Sequence, residues 1–323
     1  MSEVIHRRTF LKQAVAGTVG LSLGGALVGA DEALGLGKTS TPGDIPKRTL
    51  GKTGERVTMI GLGGWHVGRI KEEAVALRTI HRALDLGITF FDTAFSYQDG
   101  VSEERLGKGL GGKRDTIFLM TKDAKRKKAD ALAHLHESLR RLRTDHVDLW
   151  QFHSIQTVED VETLFGPDGA MEAAEQAKRE GKIRYVGITG HYDPYVHLKA
   201  LDYHEVLDTM QMPINPVDLH DLSFTRLVLP KLVEYNLGVL AMKTLAMGNI
   251  VTHGAATVEE CLRYAWSLPI SVLVSGCDSP EHVTLNVAAA QSFQPMTDAE
   301  RETLVARVEP YKGPEVEYYK KKR

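Results

Sequence analysis

The sequence predicts an α/β fold, a (β/α)8 barrel of the TIM type. Three observations predict it. Short runs rich in β-branched residues alternate eight times with helix-period stretches between positions 57 and 290. Titratable and polar residues recur just after those runs, where barrel active sites are built. The first run ends in Gly61-Leu62-Gly63-Gly64-Trp65-His66, which lacks the third glycine that an open dinucleotide-binding sheet requires there.

The strands are expected over 57–60, 88–91, 116–120, 147–150, 185–188, 209–212, 238–241 and 271–274. Between them, 71–86 carries Ala74, Leu77, Ile80, Ala83 and Leu84 on one helical stripe. Ser102 starts a short helix over 102–110, with acids behind it. A helix over 129–142 has Leu132, Leu135, Leu139 and Leu142 as its stripe. Another over 171–180 stops at Gly181, a natural cap. Further helical patterns cover 196–207, 227–235, 258–267 and 281–290. No internal repeat is present.

The chain has 323 residues, 42% of them hydrophobic and 25% charged, an ordinary globular composition. Net charge is −2 and the basic residues are dispersed, so nothing points to a nucleic-acid surface. Two cysteines, Cys261 and Cys277, are too few for a disulfide scaffold or a cysteine-based zinc site. They read as small buried side chains, although export would make a bridge chemically possible. The histidines show no metal-ligand spacing: His134 and His136 are two apart on a helix and face different ways. No metal is expected.

The amino terminus reads His6-Arg7-Arg8-Thr9-Phe10-Leu11-Lys12, followed by an uncharged run over 13–30. A basic head before an apolar run is the layout of an export signal. The arginine pair with Phe-Leu-Lys resembles the bacterial twin-arginine signal, and His6 departs from the usual Ser or Thr. Five glycines (Gly17, Gly20, Gly24, Gly25 and Gly29) make the run weakly hydrophobic, so cleavage or a loose tether is expected over a membrane span. The expected organisation is a signal over 1–30, a linker over 31–46 and the barrel over 47–323. That places the protein in the periplasm or otherwise outside the cytoplasm, with the twin-arginine machinery as a partner.

Four residues at consecutive strand ends form the candidate catalytic set: Asp92, Tyr97, Lys122 and His153. Singly, each has a bland reading as a cap, a solvated lysine or a satisfied histidine. Together they support one chemistry. Tyrosine is a poor acid at neutral pH; a nearby lysine stabilises its phenolate, and a carboxylate holds the lysine. Histidine can orient a substrate oxygen by a hydrogen bond.

Phe91-Asp92-Thr93-Ala94-Phe95-Ser96-Tyr97, followed by Ser102-Glu103-Glu104-Arg105-Leu106-Gly107, resembles the signature of the aldo-keto reductases. The resemblance runs from about Arg48 to Asn286. It implies a barrel, an NAD or NADP cofactor, and reversible hydride transfer between alcohols and aldehydes or ketones. By that resemblance Tyr97 is the general acid, Lys122 and Asp92 tune it, and His153 orients the carbonyl. Gly64 lies beside the cofactor, and Trp65, His66 and Phe95 line the substrate pocket.

The cofactor side departs from the family. Thr189-Gly190-His191 stands where Ser-Asn usually holds the nicotinamide carboxamide. Gln211 matches the carboxamide-binding glutamine, and Met242 replaces the tyrosine that commonly stacks on the ring. Lys243 is within reach of the pyrophosphate, with Leu245 following. Gly276, Ser279, His282 and Asn286 occupy the adenosine-side motif. Basic residues common in NADP-preferring members are missing at Gly276 and His282, and Asp278 adds negative charge, which weakens the case for a 2′-phosphate. The rival reading is a barrel of the same fold that binds a cofactor or partner without turnover; the four-residue set favours the enzyme.

Overall fold

Alternation between inward and outward side chains fixes how each strand sits. The chain enters through an antiparallel pair, β1 (Lys47–Thr49) and β2 (Arg56–Thr58). Eight parallel strands then close into a barrel. They are β3 (Ile60–Gly63), β4 (Phe90–Asp92), β5 (Phe118–Asp123), β6 (Val147–Phe152), β7 (Ile183–Thr189), β8 (Thr209–Pro213), β9 (Gly238–Met242) and β10 (Val272–Gly276). Neighbours run in chain order and β10 pairs with β3 to complete the circle. This computed structural model describes residues 43–321. The expected signal peptide and positions 31–42 of the expected linker lie outside the described residues.

Helices wrap the barrel: α1 (Gly64–Arg69), α2 (Glu73–Asp85), α3 (Val101–Gly109), α4 (Lys128–Leu142), α5 (Val158–Phe165), α6 (Ala170–Arg179) and α7 (Pro194–Ala200). Then come α8 (Phe224–Leu227), α9 (Leu229–Glu234), α10 (Asn249–Thr252), α11 (Val258–Trp266), α12 (Pro280–Gln291) and α13 (Asp298–Val308). Among the described residues no helix is long and apolar enough to cross a membrane.

The barrel interior is filled from below. Leu50 and Val57 of the hairpin pack with Phe90, Phe118, Met120, Leu149, Leu240 and Val272 in one buried cluster. The hairpin is thus a plug for the amino-terminal end. Buried Arg48 fixes it there by donating to the carbonyls of Trp266 at 2.6 Å and Ile270 at 2.9 Å. A second cluster lies between strands and helices and holds both cysteines, which are buried and free.

Several expected boundaries shift for physical reasons. The apolar run 57–60 is divided: its start belongs to β2, and β3 begins at Ile60. The pattern over 227–235 is two short helices, because Pro230 lacks an N–H and starts α9 afresh. The pattern over 196–207 ends as a helix at Ala200 and continues as the 3-10 turn Leu201–Tyr203. Helices α5 and α13 were not expected, although Thr157 with Asp160 and Thr297 with Glu300 form capping boxes at their starts.

Candidate active site

The period of two carries the chemistry to the top of the barrel. Counting inward positions from the buried layer, Phe90 is followed by Asp92, Met120 by Lys122, Leu149 by Gln151 and then His153, and Leu240 by Met242. Thr189 and Gln211 are register partners on β7 and β8. The carboxyl-terminal mouth is therefore ringed by Asp92, Lys122, His153, Thr189, Gln211 and Met242, above an apolar floor.

Lys122 is buried, and its ammonium has three close oxygen neighbours. Nζ lies 2.5 Å from Asp92 Oδ1, donates to the Thr93 carbonyl at 2.7 Å and donates to the Tyr97 hydroxyl at 3.1 Å. The half-buried Tyr97 ring meets His153 edge-on, with centroids 5.5 Å apart. The four residues that the sequence singled out thus share one site.

The turn that presents Tyr97 is held under constraint. Gln98, Asp99 and Gly100 have φ of 48°, 54° and 95° in succession. The left-handed region costs a non-glycine residue roughly 1–2 kcal/mol, so neighbours must hold this turn. Arg141 of α4 donates to the Phe95 carbonyl at 3.1 Å and pairs with buried Glu103 at 3.3 Å. Glu103 also accepts from Thr121 Oγ1 at 2.6 Å, tying the turn to β5.

Burial sets the electrostatics. It pushes the Tyr97 phenol above its ordinary value; Lys122 pulls the other way and does not win. Lys122 acts in the direction the sequence predicts, stabilising the phenolate, but the desolvation that outweighs it cannot be read from the partners alone. Burial alone would lower Lys122, but Asp92 and Tyr97 outweigh it and hold the ammonium charged. Burial also raises Asp92, opposed by Lys122 and Gln211. His153 is lowered well below 6.5 by burial and then by Lys122, His191, Arg126 and Lys243, so it is neutral at pH 7.

Comparison with known proteins decides the family. Residues 59–253 match the model of the Aldo/keto reductase family. The chain belongs to that family. It is 31% identical over 312 residues to an L-galactose dehydrogenase of Arabidopsis thaliana, covering 80% of this chain and 92% of the relative. It is 32% identical over 229 residues to the uncharacterized oxidoreductase YqkF of Bacillus subtilis, covering 67% and 70%. Among solved structures it is similar to the holo form of aldo-keto reductase AKR11C1 from Bacillus halodurans. That match has a TM-score of 0.69 and 26% identity, and covers 81% of this chain and 95% of the other.

In this aldo/keto reductase the residues that the sequence reading expects to hold a nucleotide are spread around the same mouth. Gln211 Oε1 is buried without a hydrogen-bond partner. Such an orphan acceptor fits an incoming amide N–H. Thr189 is buried beside it. Gly190 has no room for a side chain: a Cβ would sit 2.6 Å from His197 Cε1 and 2.7 Å from the Ile155 carbonyl. The absence of an asparagine there is therefore dictated by packing. Met242 is half-buried at the end of β9, Leu245 packs against the core, and the Lys243 ammonium lies 5.0 Å from the Tyr319 ring centre.

The remaining expected residues divide. Ser279 caps α12 through the His282 N–H at 3.3 Å, and Asn286 braces β10 by donating to Ser275 Oγ at 3.0 Å. Gly276 and His282 stand at the rim beside them, both exposed. Gly64 is buried against the Asp92 carbonyl and Ser102, so its missing side chain serves the approach of α1 to β4. His66 lies over Gly276, where any side chain would overlap its ring; it stands on the β10 side of the mouth. Phe95 stacks on His134 at 3.7 Å and under Arg141 at 4.5 Å, so α4 engages its ring. Trp65 packs edge-on to His66 with Arg69 over it.

Sequence reasoning missed the carboxyl-terminal strap. Residues 316–321 cross the mouth beside the loops after β7, β8 and β9. Buried Lys320 binds Asp218 at 2.7 Å and Glu317 at 2.8 Å. Asn215 donates to Glu317 and to the Tyr319 hydroxyl, each at 3.1 Å. The Tyr319 carbonyl stands 3.2 Å from His191 Nδ1, and the Lys321 N–H donates to the Tyr192 carbonyl at 2.8 Å.

Proposed function

We propose that this aldo/keto reductase is an NAD- or NADP-dependent enzyme that interconverts aldehydes or ketones and alcohols, with Tyr97 as general acid. The observation that carries the reading is Lys122 Nζ, placed between Asp92 Oδ1 and the Tyr97 hydroxyl in a buried site. A nicotinamide bound at the mouth supplies or accepts the hydride. Neutral His153 donates to the carbonyl oxygen and orients it beside the Tyr97 hydroxyl. As negative charge develops on that oxygen, Tyr97 gives up its proton, and the Lys122 cation stabilises the phenolate left behind. Asp92 keeps the ammonium in place. Gln211 and Thr189 would hold the carboxamide, Met242 would pack the ring, and backbone N–H groups at the start of α12 would meet phosphate. Asp278 is exposed beside that end, which favours NAD at least as much as NADP. The test is a carbonyl panel with NADH and NADPH, including aldoses because one relative is an L-galactose dehydrogenase.

The pH dependence follows from the two shifts. Reduction needs Tyr97 protonated and His153 neutral. Tyr97 is raised above 10.0 and His153 lowered below 6.5. The turnover number for reduction is expected to stay flat through neutral pH, falling only below 6.5 and above 10.0. Burial lowers the neighbouring Lys243 ammonium to about 8, so the contradicting result is a half-maximal point at about pH 8 that persists in Lys243→Met.

The arginine pair leads us to include export by the twin-arginine route in the proposal. Replacing Arg7 and Arg8 by lysine is expected to leave the protein in the cytoplasm; cell fractionation that still finds it outside points to another route.

A further inference from the structure

Lys243 is a cation without an ion-pair partner among the described residues. The buried carboxylates of the mouth and strap are engaged elsewhere. Asp92 is taken by Lys122, and Asp218 and Glu317 by Lys320. Asp193 accepts from the Tyr195 N–H at 3.0 Å and pairs with Lys321 at 3.3 Å. Lys243 Nζ lies 3.6 Å from Met247 Sδ and against the strap. Its residue leaves β9 next to β10, yet the ammonium faces Tyr319, whose carbonyl is joined to His191 beyond β7. Its charge is felt by His153 and His191, and by His66 on the β10 side of the mouth. Burial and Lys122 lower its pKa to about 8, the response of an ammonium that an anion would relieve.

We propose that Lys243, seated against Tyr319 of the strap with His191 packed on that same ring, is a subsite for a substrate carboxylate, so that the preferred substrates are oxo acids. The inference rests on the carbonyl-reducing reading above. In the reaction the carbonyl carbon gains a hydride from the reduced nicotinamide and its oxygen gains the Tyr97 proton. The products are the hydroxy acid and the oxidised nicotinamide; the carboxylate stays intact on Lys243. Sequence alone assigns this ammonium to the cofactor's pyrophosphate, and that is the rival source of the anion.

The test compares 4-oxobutanoate with butanal as substrates, and butanoate with butanamide as ligands titrated calorimetrically into protein saturated with oxidised nucleotide. Wild type is expected to favour each acid over its neutral partner at least about tenfold, the scale of one partly desolvated ion pair. Lys243→Met is expected to lower the acid-over-neutral ratio of kcat/KM at least about tenfold, and Lys243→Arg to preserve it. If Lys243→Met lowers both substrates equally and weakens nucleotide binding, the anion is the pyrophosphate and the proposal is overturned. Equal binding of butanoate and butanamide overturns it too. Selective butanoate binding that needs Lys243, in a protein that reduces no carbonyl, supports the subsite and removes the proposed function instead.

Discussion

Tyr97→Phe is expected to lower carbonyl turnover by at least about 100-fold, the usual contribution of a positioned acid. Only the hydroxyl is removed. The ring keeps its edge contact with His153, and Lys122 keeps Asp92 and the Thr93 carbonyl. The residues assigned to the nucleotide are untouched, so its dissociation constant should hold. Steady-state kinetics and a nucleotide fluorescence titration check the two halves. Turnover close to that of wild type would show that another group donates the proton.

Lys320→Met is expected to cost on the order of 3–5 kcal/mol at pH 7, because breaking a buried pair strands its partners. Here two carboxylates are stranded. Asp218 keeps donors in Ser223 Oγ and the Thr225 N–H, and Glu317 keeps Asn215 and the Tyr319 hydroxyl. Among the described residues neither carboxylate keeps an ion-pair partner. The melting temperature should fall on the order of 10 °C. The wild-type pair behaves oppositely with pH: Lys320 is raised above 10.5 by Asp218 and Glu317 against the opposing effect of burial. Its contribution is therefore complete at neutral pH and lost only as pH rises through the raised value. Burial already pushes Glu317 up, so the variant's deficit should shrink in mild acid as that carboxyl takes a proton. Calorimetric melts at about pH 5 and pH 7 check both statements.

What the sequence made legible was periodic. Their place at the ends of consecutive predicted strands marks Asp92, Lys122 and His153, and the structure gathers them with Tyr97. What it hid was long-range or volumetric. Val57-Thr58-Met59-Ile60 is one apolar run with no mark of the turn between hairpin and barrel. The strap joins Lys320 to Asp218, from opposite ends of the carboxyl-terminal third, and no local pattern announces such a pair. His66 sits beside Trp65 in sequence, yet its ring rests on Gly276 from the other end of the chain. The sign of the Tyr97 shift depends on how much water the fold removes, which a list of partners does not contain.

Isotope transfer tests the central claim most directly. NADH or NADPH deuterated at nicotinamide C4 is incubated with the protein and a carbonyl that it reduces, and the product is read by mass spectrometry. The account predicts one deuterium on the new carbinol carbon, formed at least about 100-fold more slowly by Tyr97→Phe. An alcohol without deuterium from either face of the labelled ring, or one formed as fast by Tyr97→Phe, would contradict it.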